Sequence, residues 1–248
     1  MRLLVLLLLV PLTGFAAWQL ETSDVLSDAD GVTCRALVFR DETATLKAHW
    51  VKWDRRHTLR VVDLAPDESV AEGARRANAK AAVNGGYFHP DRTPLGLVIS
   101  GGETLHRWEN SKLLTGVLSV SKTGKIQIRR KSDAITIKAD DQDWSDALQA
   151  GPFLVDNGKC VLGLNATKAA ERTVVVADKN GVIALLVTGP ITLAQLGKLL
   201  AKPGLWPEKI ERALNLDGGS STALWLASGT SLRTEWKRVR NAVVISEK

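Results

Sequence analysis

The chain has 248 residues, which is enough for one or two domains with an ordinary hydrophobic core. Hydrophobic residues make up 45% of the sequence and charged residues 24%, which excludes a wholly disordered chain, a collagen and a protein with several membrane spans. The formal net charge of +6 comes without a long basic run, so we expect a solvated surface and no nucleic-acid partner.

The first 17 residues have the features of a secretory signal peptide. An apolar run extends from Leu3 to Leu12, and Gly14 and Ala16 supply the small residues that signal peptidase requires. This run is about half the length of a spanning helix, which needs about 20 residues. The sequence therefore predicts a periplasmic or secreted protein without an integral membrane span after signal removal; an uncleaved anchor is the alternative.

Short β-branched or aromatic runs between turn residues predict many strands in the remaining chain. In chain order these strands are residues 33–39, 45–53, 58–63, 80–83, 115–120, 126–130, 135–138, 173–177, 182–188, 212–216, 222–227 and 241–246. Asn180-Gly181 predicts a hairpin around residues 178–181, between the strands at 173–177 and 182–188. Two helices are predicted by capping boxes, one with Ser69 and Glu72 and one with Thr192 and Gln195. No repeat or linker divides residues 18–248, so we expect one α+β domain built on mostly antiparallel sheet.

The sequence contains two cysteines, Cys34 and Cys160. In an oxidising compartment an even number of cysteines favours a disulfide. Two buried free thiols explain the same sequence equally well, because spacing along the chain does not show whether the two Cα atoms lie within bridging distance.

Three turns share one design, in which an apolar strand runs into small residues beside polar ones. They contain Asn84-Gly85-Gly86, Gly151-Pro152 and Asp217-Gly218-Gly219. Paired glycines let the backbone approach a ligand closely, and consecutive amides can bind an anion. Asn215 and Asp217 alternate with leucines, so their side chains are expected on one face. Each turn alone is typical of an ordinary turn, but three in one chain favour a binding site.

Six motifs follow one another along the chain: Asn84-Gly85-Gly86-Tyr87-Phe88, Pro94-Leu95-Gly96-Leu97, Gly151-Pro152, Arg172-Thr173, the segment from Asn215 to Thr222, and Arg240-Asn241-Ala242. In this order they resemble the motifs of the phosphodiester glycosidase family. The resemblance implies a sandwich of central β-sheets flanked by helices. It also implies hydrolysis of the bond between a sugar anomeric carbon and a phosphodiester, with a cell-envelope glycan or glycolipid as the substrate.

A phosphate leaving group is a weak base, so charge stabilisation matters more than proton donation. Arg172 suits this task because its guanidinium matches two phosphate oxygens. Asp217 is the candidate general base, or the stabiliser of positive charge at the anomeric carbon. Asn84 completes the predicted catalytic set as a hydrogen-bond partner of sugar hydroxyls. Glu171 is either a second carboxylate of the site or an exposed side chain.

The predicted substrate-binding residues belong to the same turns. They are Gly85, Gly86, Tyr87, Asn215, Gly218, Gly219, Ser220, Ser221 and Thr222. Asp217 offers one ligand for a divalent cation, but the alternating acidic residues of a calcium loop are not present, so no cofactor is specified. Two alternatives to hydrolysis remain open: an envelope module that binds phosphorylated glycan without catalysis, and transfer of the glycosyl group to another acceptor.

Overall fold

The computed structural model of the chain describes residues 18–136, 143–229 and 231–248. The predicted signal peptide therefore lies outside the described residues, as does part of the strand predicted at 135–138. Within the described ranges, none of the helices has the length and apolar character needed to cross a membrane.

Strands account for most of the regular structure. In chain order they are β1 (Gln19–Ala29), β2 (Val32–Arg40), β3 (Thr45–Trp53), β4 (His57–Asp63), β5 (Ala81–Asn84), β6 (Val98–Ser100), β7 (Glu103–His106), β8 (Gly116–Ser121), β9 (Ile126–Arg130), β10 (Trp144–Ala150), β11 (Phe153–Asp156), β12 (Lys159–Cys160), β13 (Ala170–Ala177), β14 (Val182–Ile191), β15 (Arg212–Asn215), β16 (Leu224–Leu226), β17 (Ser231–Arg233) and β18 (Asn241–Glu247). The helices are α1 (Val70–Arg76), α2 (Lys131–Thr136) and α3 (Leu193–Leu200), and a 3-10 turn covers Gly219–Ser221.

The strands form three antiparallel sheets. The large sheet has the order β1-β2-β3-β14-β13-β15-β11-β12. The second sheet has the order β7-β6-β10-β8-β9, and the third sheet has the order β17-β16-β5-β18-β4. The main core lies between the large sheet and the two smaller ones, because Val175, Leu118 and Val83, one from each sheet, belong to a single buried cluster. This arrangement brings strand ends from different sheets close together.

The outer faces of the sheets are covered only locally. On the large sheet, α3 packs Leu196 and Leu199 against Trp50 and neighbouring side chains. On the third sheet, α1 packs Val70 and Ala74 in a smaller cluster. Because Val174 and Val176 enter the outer cluster while Val175 enters the main core, the second half of β13, residues 174–177, is apolar on both faces.

The predicted α+β sandwich flanked by helices is wrong. The protein is mostly β, with 49% strand and 10% helix, and the described residues form three short helices. The physical reason is that the principal core packs sheet against sheet, so that α1 and α3 cover patches of sheet and do not form layers. Two capping boxes locate two helices, but they carry no information about how much of a sheet each helix covers.

Short sequence patterns predicted the secondary structure more accurately than the fold class. Both capping boxes are present, with reciprocal side-chain and backbone bonds at the N-termini of α1 and α3. The hairpin predicted around residues 178–181 joins β13 to β14, and Asp178 N donates to Gly181 O over 3.0 Å. The strand predicted at residues 135–138 is wrong at its first two positions, because α2 begins at Lys131 directly after β9 and extends to Thr136.

The two cysteines are free thiols. Cys34 lies in β2 and Cys160 in β12, and six inter-strand steps separate these two strands in the large sheet. At about 4.8 Å per step, this distance far exceeds the Cα separation that a disulfide allows. Burial raises the pKa of the Cys34 thiol to about 12, so this group is also a poor nucleophile.

We expect a thiol reagent to modify Cys160 in the native protein and Cys34 only after unfolding, since Cys160 is partly exposed and Cys34 is fully buried. Thiol titration with and without denaturant measures this difference. A reductant should leave the melting temperature unchanged. An unfolded, unreduced sample without reactive thiols would contradict the assignment.

Candidate active site

The ends of three strands from two sheets meet at one place. The segment that follows β15 bridges them, because Leu216 N donates to Thr173 O in β13 over 2.8 Å, and Asp217 N donates to Gly85 O beyond β5 over 3.1 Å. Turns that are about 130 residues apart in sequence are therefore hydrogen-bonded neighbours.

Asn84 is fully buried and holds the segment that follows β15. Its Nδ2 donates to Asp217 O over 2.8 Å. Its Oδ1 accepts hydrogen bonds from Thr173 Oγ1 at 2.6 Å and from Ala223 N at 3.1 Å. Both ends of the carboxamide are thus used inside the protein, so the geometry makes Asn84 a positioning residue for Asp217.

The Tyr87 hydroxyl links all three predicted turns. It lies 2.7 Å from Gly151 O and 3.0 Å from Leu216 O, and it accepts a hydrogen bond from Asn215 Nδ2 over 2.8 Å. Burial and, to a smaller extent, the nearby Asp217 raise the pKa of Tyr87 above that of an ordinary phenol. The hydroxyl therefore remains protonated and serves as a hydrogen-bond donor at the base of the site.

Asp217 is half-buried, and both its backbone amide and its backbone carbonyl are hydrogen-bonded, the amide to Gly85 O and the carbonyl to Asn84 Nδ2. Its Oδ1 accepts a hydrogen bond from Gly218 N over 2.8 Å. Burial raises the pKa of the Asp217 carboxyl above its ordinary value, while the Ser221 side chain, the Gly218 amide and the Lys237 charge oppose that rise. A carboxyl with a raised pKa is a stronger base once ionised, which suits proton abstraction from water.

Arg172 is a buried cation without an acidic partner. Only 9% of its surface is exposed. Its Nε donates to Ile191 O over 3.0 Å and one terminal nitrogen, Nη2, donates to Lys168 O over 2.7 Å. Among the described residues no carboxylate lies within ion-pair distance, and Nη1 makes no hydrogen bond. Burial accordingly lowers the pKa of Arg172, although the group stays charged.

The positive charge of Arg172 lies beside the Tyr87 network. It lowers the pKa of Tyr87, and the backbone of Arg172 packs against Gly218, where an added Cβ would lie 3.6 Å from the Arg172 Cα. The structure therefore joins Asn84 to the backbone of Asp217 and Asn215 to the Tyr87 hydroxyl, and it places the backbone of Arg172 against Gly218.

The 217–222 turn presents backbone amides next to Asp217. Gly219 adopts a left-handed φ of 63°, which favours glycine at this position. Ser221 N and Thr222 N donate to carbonyls within the turn. The amides of Gly219 and Ser220 donate to no acceptor among the described residues. Ser220 is exposed while Ser221 and Thr222 are buried. Two consecutive amides without an acceptor can bind an anion.

Gly218→Ala is expected to lower kcat/KM by about 10²-fold, the scale for a displacement of about 1 Å in an active site. An added Cβ would lie 2.6 Å from Glu171 O, a backbone atom, so the turn itself must move. Steady-state kinetics and a melting curve on one preparation measure the effect. Gly189→Ala is the control, since its Cβ would meet only Lys47 O at 3.5 Å. Unchanged kinetics in Gly218→Ala would contradict a catalytic role for this turn.

Gly85 and Gly86 pack against β18 and the second sheet. Gly85 N donates to Asn241 O over 2.9 Å, Gly86 N donates to Asn241 Oδ1 over 2.8 Å, and a Cβ on Gly85 would collide with the Asn241 side chain. An added Cβ on Gly86 would lie 3.0 Å from Leu148. Both glycines are buried, and because they lack a side chain the Asn84 turn can pack closely against its neighbours.

Several residues of the site carried no predicted role. Thr173 and Asn241 were noted only within the family motifs, although each is a polar residue near the start of a buried strand, a signal that can be read from sequence. Trp236 and Lys237 were missed, because only folding brings them to Ser220. Glu171 forms an ion pair of 2.9 Å with Arg233, beside the site.

The structure offers no evident metal site in the part of the chain that it describes. No group of three or more histidine, cysteine, aspartate or glutamate side chains is placed to hold an ion there. The divalent cation considered for Asp217 remains a prediction without a second ligand, and no chemical step below depends on it.

Comparison with known proteins shows the family and the fold of this chain. A family model described as phosphodiester glycosidase matches residues 77–246. The search of curated proteins returned no match. The zebrafish structure of the N-acetylglucosamine-1-phosphodiester alpha-N-acetylglucosaminidase catalytic domain, auto-inhibited by its pro-peptide, has 16% identity and a TM-score of 0.68, covering 93% of this chain and 88% of that chain.

A second solved structure, a hypothetical protein from Synechocystis, has 18% identity and a TM-score of 0.64, covering 92% of this chain and 64% of that one. At such identities the two structures establish the shared fold. The family model matches more than half of the sequence and includes the Tyr87 network, Arg172 and the 217–222 turn. The chain belongs to the phosphodiester glycosidase family.

Proposed function

We propose that this protein is an extracytoplasmic hydrolase that cleaves the bond between the anomeric carbon of a sugar and the phosphate of a sugar-1-phosphodiester. The family match supports a glycosidase-like function. The relative of known name acts, by that name, on N-acetylglucosamine-1-phosphodiesters, which makes this substrate class the first to test.

The observation that carries the proposal is the buried Arg172, which has no carboxylate partner among the described residues and whose backbone packs against Gly218, the residue that follows Asp217. A buried charge is costly unless it is paired, so a buried guanidinium with an unused nitrogen favours an anionic ligand. Arg172 keeps its orientation through Ile191 O and Lys168 O, and it therefore needs no reorganisation to meet a phosphate.

Charge on the leaving phosphate is stabilised by donors that have no acceptor among the described residues. Nη1 of Arg172 and the free amides of Gly219 and Ser220 are the available donors. As the bond from the anomeric carbon to the phosphate oxygen breaks, its electron pair stays on that oxygen, and these donors stabilise the resulting phosphate monoester. The phosphate is a weak base, so departure requires no general acid.

Asp217 acts on the attacking water. The water oxygen forms a bond to the anomeric carbon, and the carboxylate of Asp217 takes the proton that the water loses. The products are a free sugar and a phosphate monoester, so atoms and charge balance. Asn84 and Gly85 hold the backbone of Asp217, and Tyr87 supports the adjoining Leu216 carbonyl, which preserves this geometry.

The cellular setting belongs to the proposal. The predicted signal peptide favours export, and an exported enzyme of this class meets phosphodiesters of envelope glycans or glycolipids. N-terminal sequencing of periplasmic or secreted protein is expected to find a chain that starts near Ala17. Full-length protein beginning at Met1 in the membrane would contradict export.

A panel of sugar-1-phosphodiesters and UDP-sugars tests the proposed activity. We expect release of free sugar together with the phosphate monoester from at least one member. Binding without release would favour a glycan-binding module, and a glycosylated acceptor in place of free sugar would indicate transfer. Asp67→Asn, a substitution of an exposed aspartate, serves as the matched control for substitution of Asp217.

A further inference from the structure

Trp236 is an unusually exposed aromatic side chain beside the site. Its exposed fraction is 88%, although tryptophan usually contributes to stability through burial. The amides of Trp236 and Lys237 both donate to Ser220 O, over 2.8 and 3.2 Å. These bonds place the two residues, here called the rim pair, directly against the 217–222 turn.

The rim pair is held between two fixed points. Before it, the buried Glu235 accepts a hydrogen bond from Val70 N over 2.9 Å. After it, the Val239 carbonyl accepts a hydrogen bond from Arg92 over 3.1 Å, and the Val239 side chain is buried. An exposed indole with an anchored backbone loses little conformational entropy when a ring stacks on it, which favours a role in binding.

Lys237 supplies a free positive charge at the same rim. Its side chain is exposed and makes no ion pair with any described residue. Its charge lowers the pKa of the Asp217 carboxyl, and its backbone amide donates to Ser220 O, so Lys237 lies beside the 217–222 turn. A free ammonium suits a phosphate oxygen that Arg172 does not hold.

We propose that the rim pair is the subsite for the second substituent of the phosphodiester, the group that leaves together with the phosphate. We propose further that this group is a carbohydrate. Lys237 binds a phosphate oxygen, and the indole of Trp236 stacks on the sugar ring attached to that phosphate. The inference rests on the proposed function, because it names the second half of the same phosphodiester.

The single aromatic face favours a sugar over a nucleobase. No second ring contacts Trp236 among the residues that the structure describes. Base-binding pockets usually combine stacking between side chains with hydrogen bonds to the base edge. One indole beside a cation instead suits the apolar face of a pyranose and its phosphate.

Three N-acetylglucosamine 1-phosphate derivatives provide the test: a diester with methanol, a diester with the primary hydroxyl of glucose, and UDP-N-acetylglucosamine. In Trp236→Ala, we expect the ratio of kcat/KM for the glucose diester to that for the methyl diester to fall about tenfold, a typical loss for a stacked ring. Trp236→Phe should restore part of that ratio. Lys237→Ala should lower kcat/KM for both diesters by a similar factor.

Two exposed residues far from the site provide controls. Leu26→Ala lies in β1, four strands from β13 in the large sheet, and Lys179→Ala lies in the hairpin at the opposite end of β13 from Arg172. Neither should change the ratio. An unchanged ratio in Trp236→Ala overturns the inference. A larger loss for UDP-N-acetylglucosamine than for the glucose diester overturns the carbohydrate assignment in favour of a nucleoside.

Calorimetry separates failure of the subsite from failure of the proposed activity. Glucose phosphate should bind more tightly than inorganic phosphate in the unmodified protein, and Trp236→Ala should remove most of that difference. Absence of hydrolysis with this binding pattern would end the catalytic proposal and retain the subsite. Equal affinities for the two ligands in the unmodified protein would overturn the subsite, whatever the turnover.

Discussion

Asp217→Asn is expected to lower kcat by about 10²–10⁴-fold, the range for loss of a general acid–base group, with a modest change in substrate affinity. The amide keeps the shape of the carboxylate and can still accept from Gly218 N, but it does not take a proton from water. Steady-state kinetics on the diester that the protein hydrolyses best measures the loss, and Asp67→Asn should behave like the unmodified protein.

The same substitution should not destabilise the protein at neutral pH. Burial raises the folded-state pKa of Asp217 above its unfolded value, so ionisation of this carboxyl costs stability as the pH rises above the ordinary carboxyl range. Asparagine lacks this cost. The melting temperature of Asp217→Asn should therefore equal or exceed that of the unmodified protein at neutral pH, and the gain should vanish below about pH 4, where both states are protonated.

A purely structural Asp217 makes the opposite forecast. The substitution would then lower the melting temperature and leave kcat per folded molecule unchanged. Kinetics and melting on one preparation distinguish the two roles. Normal kcat in folded Asp217→Asn would end the catalytic assignment.

Arg172→Ala is expected to lower kcat/KM for phosphodiesters by about 10²–10³-fold, comparable to losing one donor of an oxyanion site. Inhibition by a sugar 1-phosphate should weaken far more than inhibition by the free sugar, because only the phosphate meets the guanidinium. Inhibition constants measured for both ligands test this selectivity. Arg55→Ala, which alters an exposed arginine at the β3–β4 turn, is the matched control.

Arg172→Lys should rescue only part of the lost activity. Arg172 uses Nε and Nη2 to hold two carbonyls and leaves Nη1 free, whereas a lysine ammonium is one point charge that does not reproduce this fork. Full activity in Arg172→Lys, or equal weakening of both inhibitors in Arg172→Ala, would contradict phosphate binding through this residue.

Local sequence patterns predicted local structure because their causes are local. The capping boxes at Ser69 and Thr192 depend on residues three positions apart, and both formed. The hairpin after β13 depends on turn residues, and it formed as well. The same approach failed at residues 135–136, the described part of the strand predicted at 135–138, because the helix that begins at Lys131 extends to Thr136.

The fold class could not be predicted by the same means. Whether a sheet is covered by helices or by another sheet depends on contacts between distant segments, such as Val83 with Val175 in the main core. The alternation that predicts a strand is the same in both arrangements. The prediction of flanking helices came from the family resemblance, and the structure replaced it with three packed sheets.

The contacts of several predicted site residues differ from those that the sequence led us to expect. Asn84 was expected to contact sugar, yet all its carboxamide contacts are internal. Gly85 and Gly86 were expected to approach a ligand, yet they pack on β18 and the second sheet. Glycine and asparagine suit both close packing and ligand contact, so the sequence motif alone does not distinguish them. Whether such a residue packs inside the protein or contacts a ligand depends on how distant strands pair.

Hydrolysis in ¹⁸O-labelled water tests the central claim most directly, because it identifies the bond that breaks. Attack at the anomeric carbon places the label on the released sugar and none on the phosphate monoester. Mass spectrometry of the two products gives the answer. We expect ¹⁸O in the sugar, measured before exchange at its anomeric hydroxyl; ¹⁸O in the phosphate monoester would show attack at phosphorus and contradict the glycosidase mechanism.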